Sequence, residues 1–220
     1  MLSQVHHYFP IFLDLTNVKV LVIGGGKVGS KRASKFRDYG AEVTVVSLDF
    51  SEDLATRNDI IKVKLDASIL GEEFLSKYDI IITATSDQSL NSRLCSLGKS
   101  LKKFCNNPTN PNESSFIVPI FYEDDDVGIA VTTMGKSSIM SKVILDKALE
   151  ALKNDPKILL EIKVMNDVKS LLKSKIKDPS IRYNLYHKIF IDKQFESFIN
   201  DGNIDSAMKR AEEIINGSSF

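Results

Sequence analysis

"VKVLVIGGGKVG", residues 18–29, sets a short β-branched run against three glycines and the start of a helix-forming segment. The apolar run reads as a buried strand that the glycines end. Lys27 to Tyr39 then reads as a helix, stopped by Gly40. Gly24, Gly26 and Gly29 fill the three glycine positions of a GxGxxG pattern. The first permits a tight turn, the second lets a pyrophosphate approach the backbone, and the third lets the helix pack closely on the sheet. The free N–H groups at a helix N-terminus favour phosphate. The pattern alone is weak, but here it follows a strand and opens a helix, which is the context a dinucleotide loop needs. The competing reading is a glycine turn used only for packing.

Reading outward, "AEVTVVS" (41–47) is a second strand and "IIKVKLD" (60–66) a third, alternating enough to sit near an edge. Glu72–Lys77 forms a short helix. "YDIIITATS" (78–86) is apolar along its length, as a central parallel strand should be. Leu90–Leu101 reads as a helix and "KFCNN" (103–107) as a fifth strand. This alternation indicates an α/β fold with a Rossmann-type doubly wound parallel sheet. The pattern changes at the polar, proline-bearing loop 106–115. Residues 115–135 read as two strands joined by an acidic turn at Glu123–Asp126, with Pro119 marking an edge or a bulge. Lys136–Leu152 is helical. Beyond it, Ile158, Ile162, Met165, Val168, Leu172 and Ile176 form one apolar stripe. Asp155–Pro156 and Asp178–Pro179 each supply an N-cap followed by proline at the first helical position, and Ile204–Ile215 is a last amphipathic helix. Three regions are expected: a nucleotide domain over 1–113, a small α+β region over 114–150 and a helical region over 151–220.

Basic and acidic residues balance at 29 each among 220 residues, which gives no bulk attraction to nucleic acid or to an anionic membrane. The apolar runs are too short to span a bilayer. The opening "MLSQVHHYFP" lacks the charged start and apolar core of a signal peptide, so a cytoplasmic protein is expected. Cys95 and Cys105 are the only cysteines and lack CxxC spacing. No disulfide framework is expected, and a redox pair is the minor alternative. No HxH, HxxxH or CxxC arrangement suggests a tightly held metal. The run Glu123–Asp126 is better read as a solvated turn than as a metal site, and His187 as a packed histidine.

Asp49 follows the second strand at the distance expected of a carboxylate that bonds the ribose 2′-OH, about 20 residues beyond the glycine loop. No arginine follows closely to take a 2′-phosphate, so NAD is favoured over NADP. A solvated helix cap is the other reading of Asp49. Thr83, Thr85 and Asp87 end the fourth strand, where the carboxyl ends of parallel strands face the ligand, so they are placed on the nicotinamide side. Ordinary strand-end capping is the alternative.

The segments "YFPIFLDLTNVKVLVIGGGKVGSKRASKF", "ITATSD", "FCNNPTNPNESSFIVPIF" and "GIAVTTMGKSS", in this order and spacing, resemble the precorrin-2 dehydrogenase and sirohydrochlorin ferrochelatase family, the siroheme synthase N-terminal module. The match runs from about residue 8 to 150; the tail resembles the family only in being helical. The resemblance implies NAD⁺-dependent oxidation of precorrin-2, a tetrapyrrole with many carboxylate arms, and an intertwined homodimer. In that architecture 114–150 forms the dimerisation region, and the active site lies in a cleft between the nucleotide domain and the dimer core. It carries cofactor contacts to Gly24, Gly26, Lys27, Val28 and Gly29, and to Leu48 and Asp49. Thr85 joins them from the fourth strand. Asn106 and Ser137 are candidate substrate contacts, although an N-cap before Ile139 is the stronger reading of Ser137.

Two positions depart from the family pattern. Where members that also chelate carry an aspartate three residues after the strand asparagine, this chain has Thr109, and Ser138 stands where proline is usual. Threonine cannot act as a carboxylate base, so the substitution weakens metal insertion more than hydride transfer. Glu113, Asp87, His6 and His7 are the candidates for a substitute base. Lys27, Lys31, Arg32 and Lys136 are candidates for a basic lining that would suit a polycarboxylate. Two alternatives stand beside the dehydrogenase reading: a non-catalytic tetrapyrrole- or NAD(H)-binding partner of the pathway, and a bifunctional dehydrogenase/ferrochelatase.

Overall fold

A computed structural model describes residues 7–218, which leaves His6 outside. The chain divides into two compact units, Met1–Val118 and Pro119–Phe220.

The first unit is built on β1 (Lys19–Ile23), whose residues Val20 to Ile23 are wholly buried. β2 (Glu42–Ser47) and β4 (Ile80–Thr83) flank it, with Val22 opposite both Val45 and Ile82. β3 (Ile61–Lys64) and β5 (Phe104–Asn106) complete a parallel sheet of order β3-β2-β1-β4-β5. A strand covered on both faces has to be apolar on both, and burying each such side chain contributes about 1.5–3 kcal/mol. Alternate residues accordingly feed two cores. Val20, Val22, Val43, Val45, Ile80 and Ile82 pack with Ala33 and Phe36 of α1 (Lys27–Asp38). Leu21, Ile23, Val46, Ile81 and Cys105 pack with Leu94 and Cys95 of α4 (Gln88–Ser100). Short helices α2 (Glu52–Ala55) and α3 (Glu72–Leu75) fill the crossovers.

Arg37, at the end of α1, reaches the β2–β3 side, where it donates to the Ala41 carbonyl at 3.1 Å and to Asp59 at 3.2 Å. On β3, Lys62 Nζ donates to the carbonyls of Leu54, Ala55 and Arg57. Beyond β5, Ser115 N–H donates to the Cys105 carbonyl and its hydroxyl accepts from Cys105 N–H. Phe116 and Val118 pack on the α1-side core, which keeps 114–118 with the first unit.

One expectation is corrected. Cys95 and Cys105 are joined by a disulfide with their Cα atoms 5.6 Å apart, both without solvent exposure. The reason is topological. α4 lies on the sheet and returns through residues 101–103 into β5, which carries the middle of the helix back over the strand. Sequence spacing does not show that approach.

In the second unit β6 (Ile120–Glu123) and β7 (Gly128–Val131) form an antiparallel hairpin. Asp124 holds its turn, accepting from the N–H groups of Asp126 and Val127 and from the Tyr122 hydroxyl. α5 (Ser138–Asn154) packs on both strands but buries only Ser141 and Leu145, and it leaves Ile139 76% exposed. Four further helices follow: α6 (Pro156–Lys175), α7 (Pro179–Phe190), α8 (Lys193–Asn200) and α9 (Ile204–Asn216). Asp155, Asp178, Asp192 and Asn203 cap them through side-chain oxygens, and prolines occupy the first positions of α6 and α7. Their core joins Val164, Met165, Val168 and Leu172 to Leu185, Ile189, Phe195, Ile199 and Ile214. The apolar stripe expected on α6 is therefore displaced: Val164 is buried, while Ile158 and Ile162 stay at the surface. Arg210 of α9 clamps Asp192 with two hydrogen bonds and holds its carboxyl down to about 2.

A Cβ on Gly29 would strike the Gly24 carbonyl oxygen. Gly29→Ala is expected to lower the unfolding free energy of the first unit by about 1–3 kcal/mol, the usual cost of overpacking. Urea denaturation followed by circular dichroism checks this; an unchanged midpoint would mean that α1 yields without cost.

Candidate functional site

The turn between β1 and α1 is set by its glycines. Gly24 adopts φ +113°, where a side chain is strained, and its N–H donates to the Val46 carbonyl at 2.8 Å. A Cβ there would meet the Ala84 carbonyl at the end of β4, and one on Gly25 would meet the Asp49 carbonyl. The backbone is thus pinned between the ends of β2 and β4. Gly26 differs: it is the N-cap of α1 with no side-chain cap bond, and a Cβ on it would meet nothing within 4 Å. No contact among the described residues accounts for glycine at that position. What it leaves is open space before the unpaired N–H groups of the first helical turn, and that turn carries no acidic residue. Exposed Lys27 and Val28 border the space. These residues fit the pyrophosphate of a dinucleotide.

On the β2 side, exposed Leu48 and Asp49 follow the strand, and the Asp49 side chain is 96% exposed. Its carboxylate is free to accept from ribose hydroxyls. Lys64 Nζ lies 3.9 Å away, because the parallel register sets Lys64 beside Ser47. Sequence reading missed Lys64. The signal was available only in the pairing of β2 with β3, and it places a cation beside the Asp49 carboxylate.

On the β4–β5 side most polar groups are already engaged. Thr85 Oγ1 donates within the Asn91–Asp87 cluster, at 2.8 Å from Asn91 Oδ1. Asp87 caps α4, accepting from the Ser89 hydroxyl and from the N–H groups of Ser89 and Leu90, and these bonds hold its carboxyl below the usual range. Two buried side-chain oxygens on this side have no partner among the described residues: Thr83 Oγ1 and Asn106 Oδ1. They lie on opposite faces of the sheet, since Thr83 shares the face of Ile81 while Asn106 pairs with Ile82. No single group reaches both. Asn106 spends its amide on the Phe116 carbonyl at 3.1 Å, which leaves its oxygen as a vacant acceptor on the α1 face.

The loop after β5 is organised by Asn107, which is fully buried. Its Oδ1 accepts from the Thr109 hydroxyl at 2.7 Å and from the N–H groups of Thr109 and Asn110. Its Nδ2 donates to Glu113 at 2.7 Å, and Asn110 Nδ2 donates to the other carboxylate oxygen at 2.9 Å. Thr109 is therefore a turn-closing residue, while Glu113 is a carboxylate held by two amides and in no ion pair among the described residues.

The remaining candidates fall elsewhere. Ser137, in the second unit, caps α5 by accepting from Met140 N–H. His187 stacks edge-on against Tyr183, 4.5 Å between ring centres, and is exposed rather than packed in a core. Among the described residues no helix is long and apolar enough to cross a membrane.

This geometry defines a dinucleotide-binding α/β domain, and a family model described as "Putative NAD(P)-binding" matches residues 11–120. A "Putative precorrin-2 dehydrogenase" of Methanocaldococcus jannaschii is 32% identical over 194 residues, which cover 84% of this chain and 91% of that one. The chain belongs to the precorrin-2 dehydrogenase family. A siroheme synthase of Neisseria meningitidis serogroup C is 34% identical over 66% of this chain, but the match spans only 30% of that longer protein. The solved structure of SirC, precorrin-2 dehydrogenase, matches with a TM-score of 0.64 at 22% identity, over 94% of this chain and 100% of that one. At that identity the likeness is one of fold.

Asp49→Ala is expected to weaken NADH binding roughly 10- to 100-fold, the range for a hydrogen bond to a charged group. It should also narrow the gap to NADPH, since Lys64 is then unopposed. Fluorescence titration of both nucleotides checks this, and Lys64→Ala in the same background should restore the gap.

Proposed function

We propose that this chain oxidises precorrin-2 to sirohydrochlorin with NAD⁺ in siroheme or related tetrapyrrole biosynthesis. The observation that carries the reading is the open space over Gly26 at the α1 N-terminus, in a chain aligned almost end to end with a relative named for that activity. NAD⁺, when bound, supplies the acceptor for the hydride. The macrocycle loses a second hydrogen as a proton, so the reaction releases NADH and H⁺.

The residues divide this work. The first N–H groups of α1 hold the pyrophosphate, and Asp49 takes a ribose hydroxyl. Asn106 Oδ1 offers an acceptor at the end of β5, on the strands opposite the Asp49 side. Thr109 fills the position at which a chelating relative carries aspartate, but its hydroxyl is spent on Asn107. Glu113 is the carboxylate left on this loop with oxygen lone pairs to spare, and it receives the proton. Metal insertion is not part of the proposed activity.

The protein is proposed to act as a cytoplasmic homodimer, joined through the second unit. Ile139, Met140, Val143 and Ile144 form a contiguous exposed apolar face on α5. Such a face suits a second copy of the chain better than water. Ser137, at the start of the same helix, is the candidate substrate contact there.

Anaerobic precorrin-2 with NAD⁺ should give sirohydrochlorin and NADH in equal amounts, and added Fe²⁺ should yield no siroheme. Glu113→Gln should lower kcat about 100-fold, within the range for a lost general base. Thr109→Asp should leave dehydrogenation unchanged. A folded, NADH-binding protein that fails to turn over precorrin-2 sinks the reading. Separately, light scattering should find a dimer that Ile139→Asp with Val143→Asp converts to monomer; a wild-type monomer at micromolar concentration would dispose of the interface.

A further inference from the structure

Arg32 is a half-buried cation with no hydrogen bond and no ion pair among the described residues. Burial pushes its guanidinium below the ordinary value, and no carboxylate opposes that effect. Lys35, three residues on, is pushed down by its own burial and by the charge of Arg32. A half-buried guanidinium opposes folding, because an ion taken from water costs free energy unless it is paired, and the neighbouring positive charge of Lys35 adds to that cost. Every other arginine of the chain has a partner, whether Arg37 and Arg57 on Asp59, Arg93 and Arg182 on carbonyls, or Arg210 on Asp192.

The position of Arg32 on α1 says where it leans. Gly29, Ala33 and Phe36 are buried and turn toward the sheet. Arg37 lies about 140° around the helix from Arg32 at 100° per residue. Since Arg37 reaches Ala41 and Asp59 on the β2–β3 flank, Arg32 lies on the opposite flank, over β4 and β5. That is the face on which Asn106 Oδ1 is buried without a donor. An unpaired guanidinium and an unpaired amide oxygen therefore share one side of the sheet.

We propose that Arg32 binds a carboxylate arm of the tetrapyrrole, fixing the macrocycle on the β4–β5 flank of α1. This rests on the reading given under Proposed function. A guanidinium suits the task because it stays charged when half-buried and can grip a carboxylate with two parallel N–H groups. The phosphates of the dinucleotide are the other source of an anion; the reading under Proposed function assigns them to the N–H groups of the first turn over Gly26, at the head of the helix.

Arg32→Met and Arg32→Lys test this, with three readouts: absorbance titration with sirohydrochlorin, fluorescence titration with NADH, and urea denaturation. In Arg32→Met, sirohydrochlorin affinity should fall by about 30-fold or more, as when one partner of a desolvated charge pair is truncated. KM for precorrin-2 should rise with kcat nearly unchanged, and NADH affinity should hold. The urea midpoint should stay or rise, which a purely structural arginine would not allow. Arg32→Lys should recover part of the affinity. Unchanged sirohydrochlorin affinity in a wild type that binds it overturns the proposal and leaves the dehydrogenase reading standing. Loss of NADH affinity instead assigns Arg32 to the phosphates and overturns it equally. A wild type that binds no sirohydrochlorin defeats both.

Discussion

The carbonyl oxygen of Gly24 lies where a side chain on residue 29 would have to go, and the nucleotide domain depends on that contact. It brings the first turn of α1 down against the end of β1. Positive φ at Gly24 and the close approach of Gly25 to Asp49 then hold the turn between β2 and β4. Once the turn is fixed, the helix N-terminus can point only across the carboxyl edge of the sheet. Of the glycines of this turn, Gly26 is the one free of packing duty among the described residues, which is why the space it leaves reads as functional.

Away from the turn, the carboxyl edge is divided by how its polar groups are used. At β4, Thr85, Asn91 and Asp87 satisfy one another and the cap of α4, so they stiffen the edge. After β5, Asn107 gathers the loop so that Thr109 closes a turn while Glu113 accepts from two amides and keeps part of its acceptor capacity. Leaving Asn106 Oδ1 and the Arg32 guanidinium unpaired costs stability. A folded protein keeps such costs where a bound partner offsets them.

The strands of the parallel sheet were legible because β1, β2 and β4 are buried on both faces, and that demand writes an apolar run into the sequence. The glycine loop was legible for the same local reason, since each glycine answers to a neighbour within a few residues or to the next strand end. What escaped reading depends on contacts between segments distant in sequence. Lys64 meets Asp49 only through the β2–β3 register, and Cys95 meets Cys105 only after α4 folds back over β5. The burial of Val164 instead of Ile158 and Ile162 depends on where α6 meets its partner helices, which the period of the stripe alone does not specify. Arg32 was visible as a basic residue, but its missing partner was not, because a missing partner is a property of the folded surroundings.

A parallel sheet of five strands also has two edges, and an open edge is a template for pairing with another chain. On the outer strand β3, lysines alternate with Ile61 and Val63, and Lys62 bends back onto the carbonyls of 54–57. At the other side, β5 is only three residues long, and Ser115 covers its middle with backbone and hydroxyl together. Charge guards one edge and the chain itself guards the other. The sheet therefore offers no ready strand for edge-to-edge aggregation, even in a molecule whose two kinds of charge cancel and leave it without net repulsion between copies.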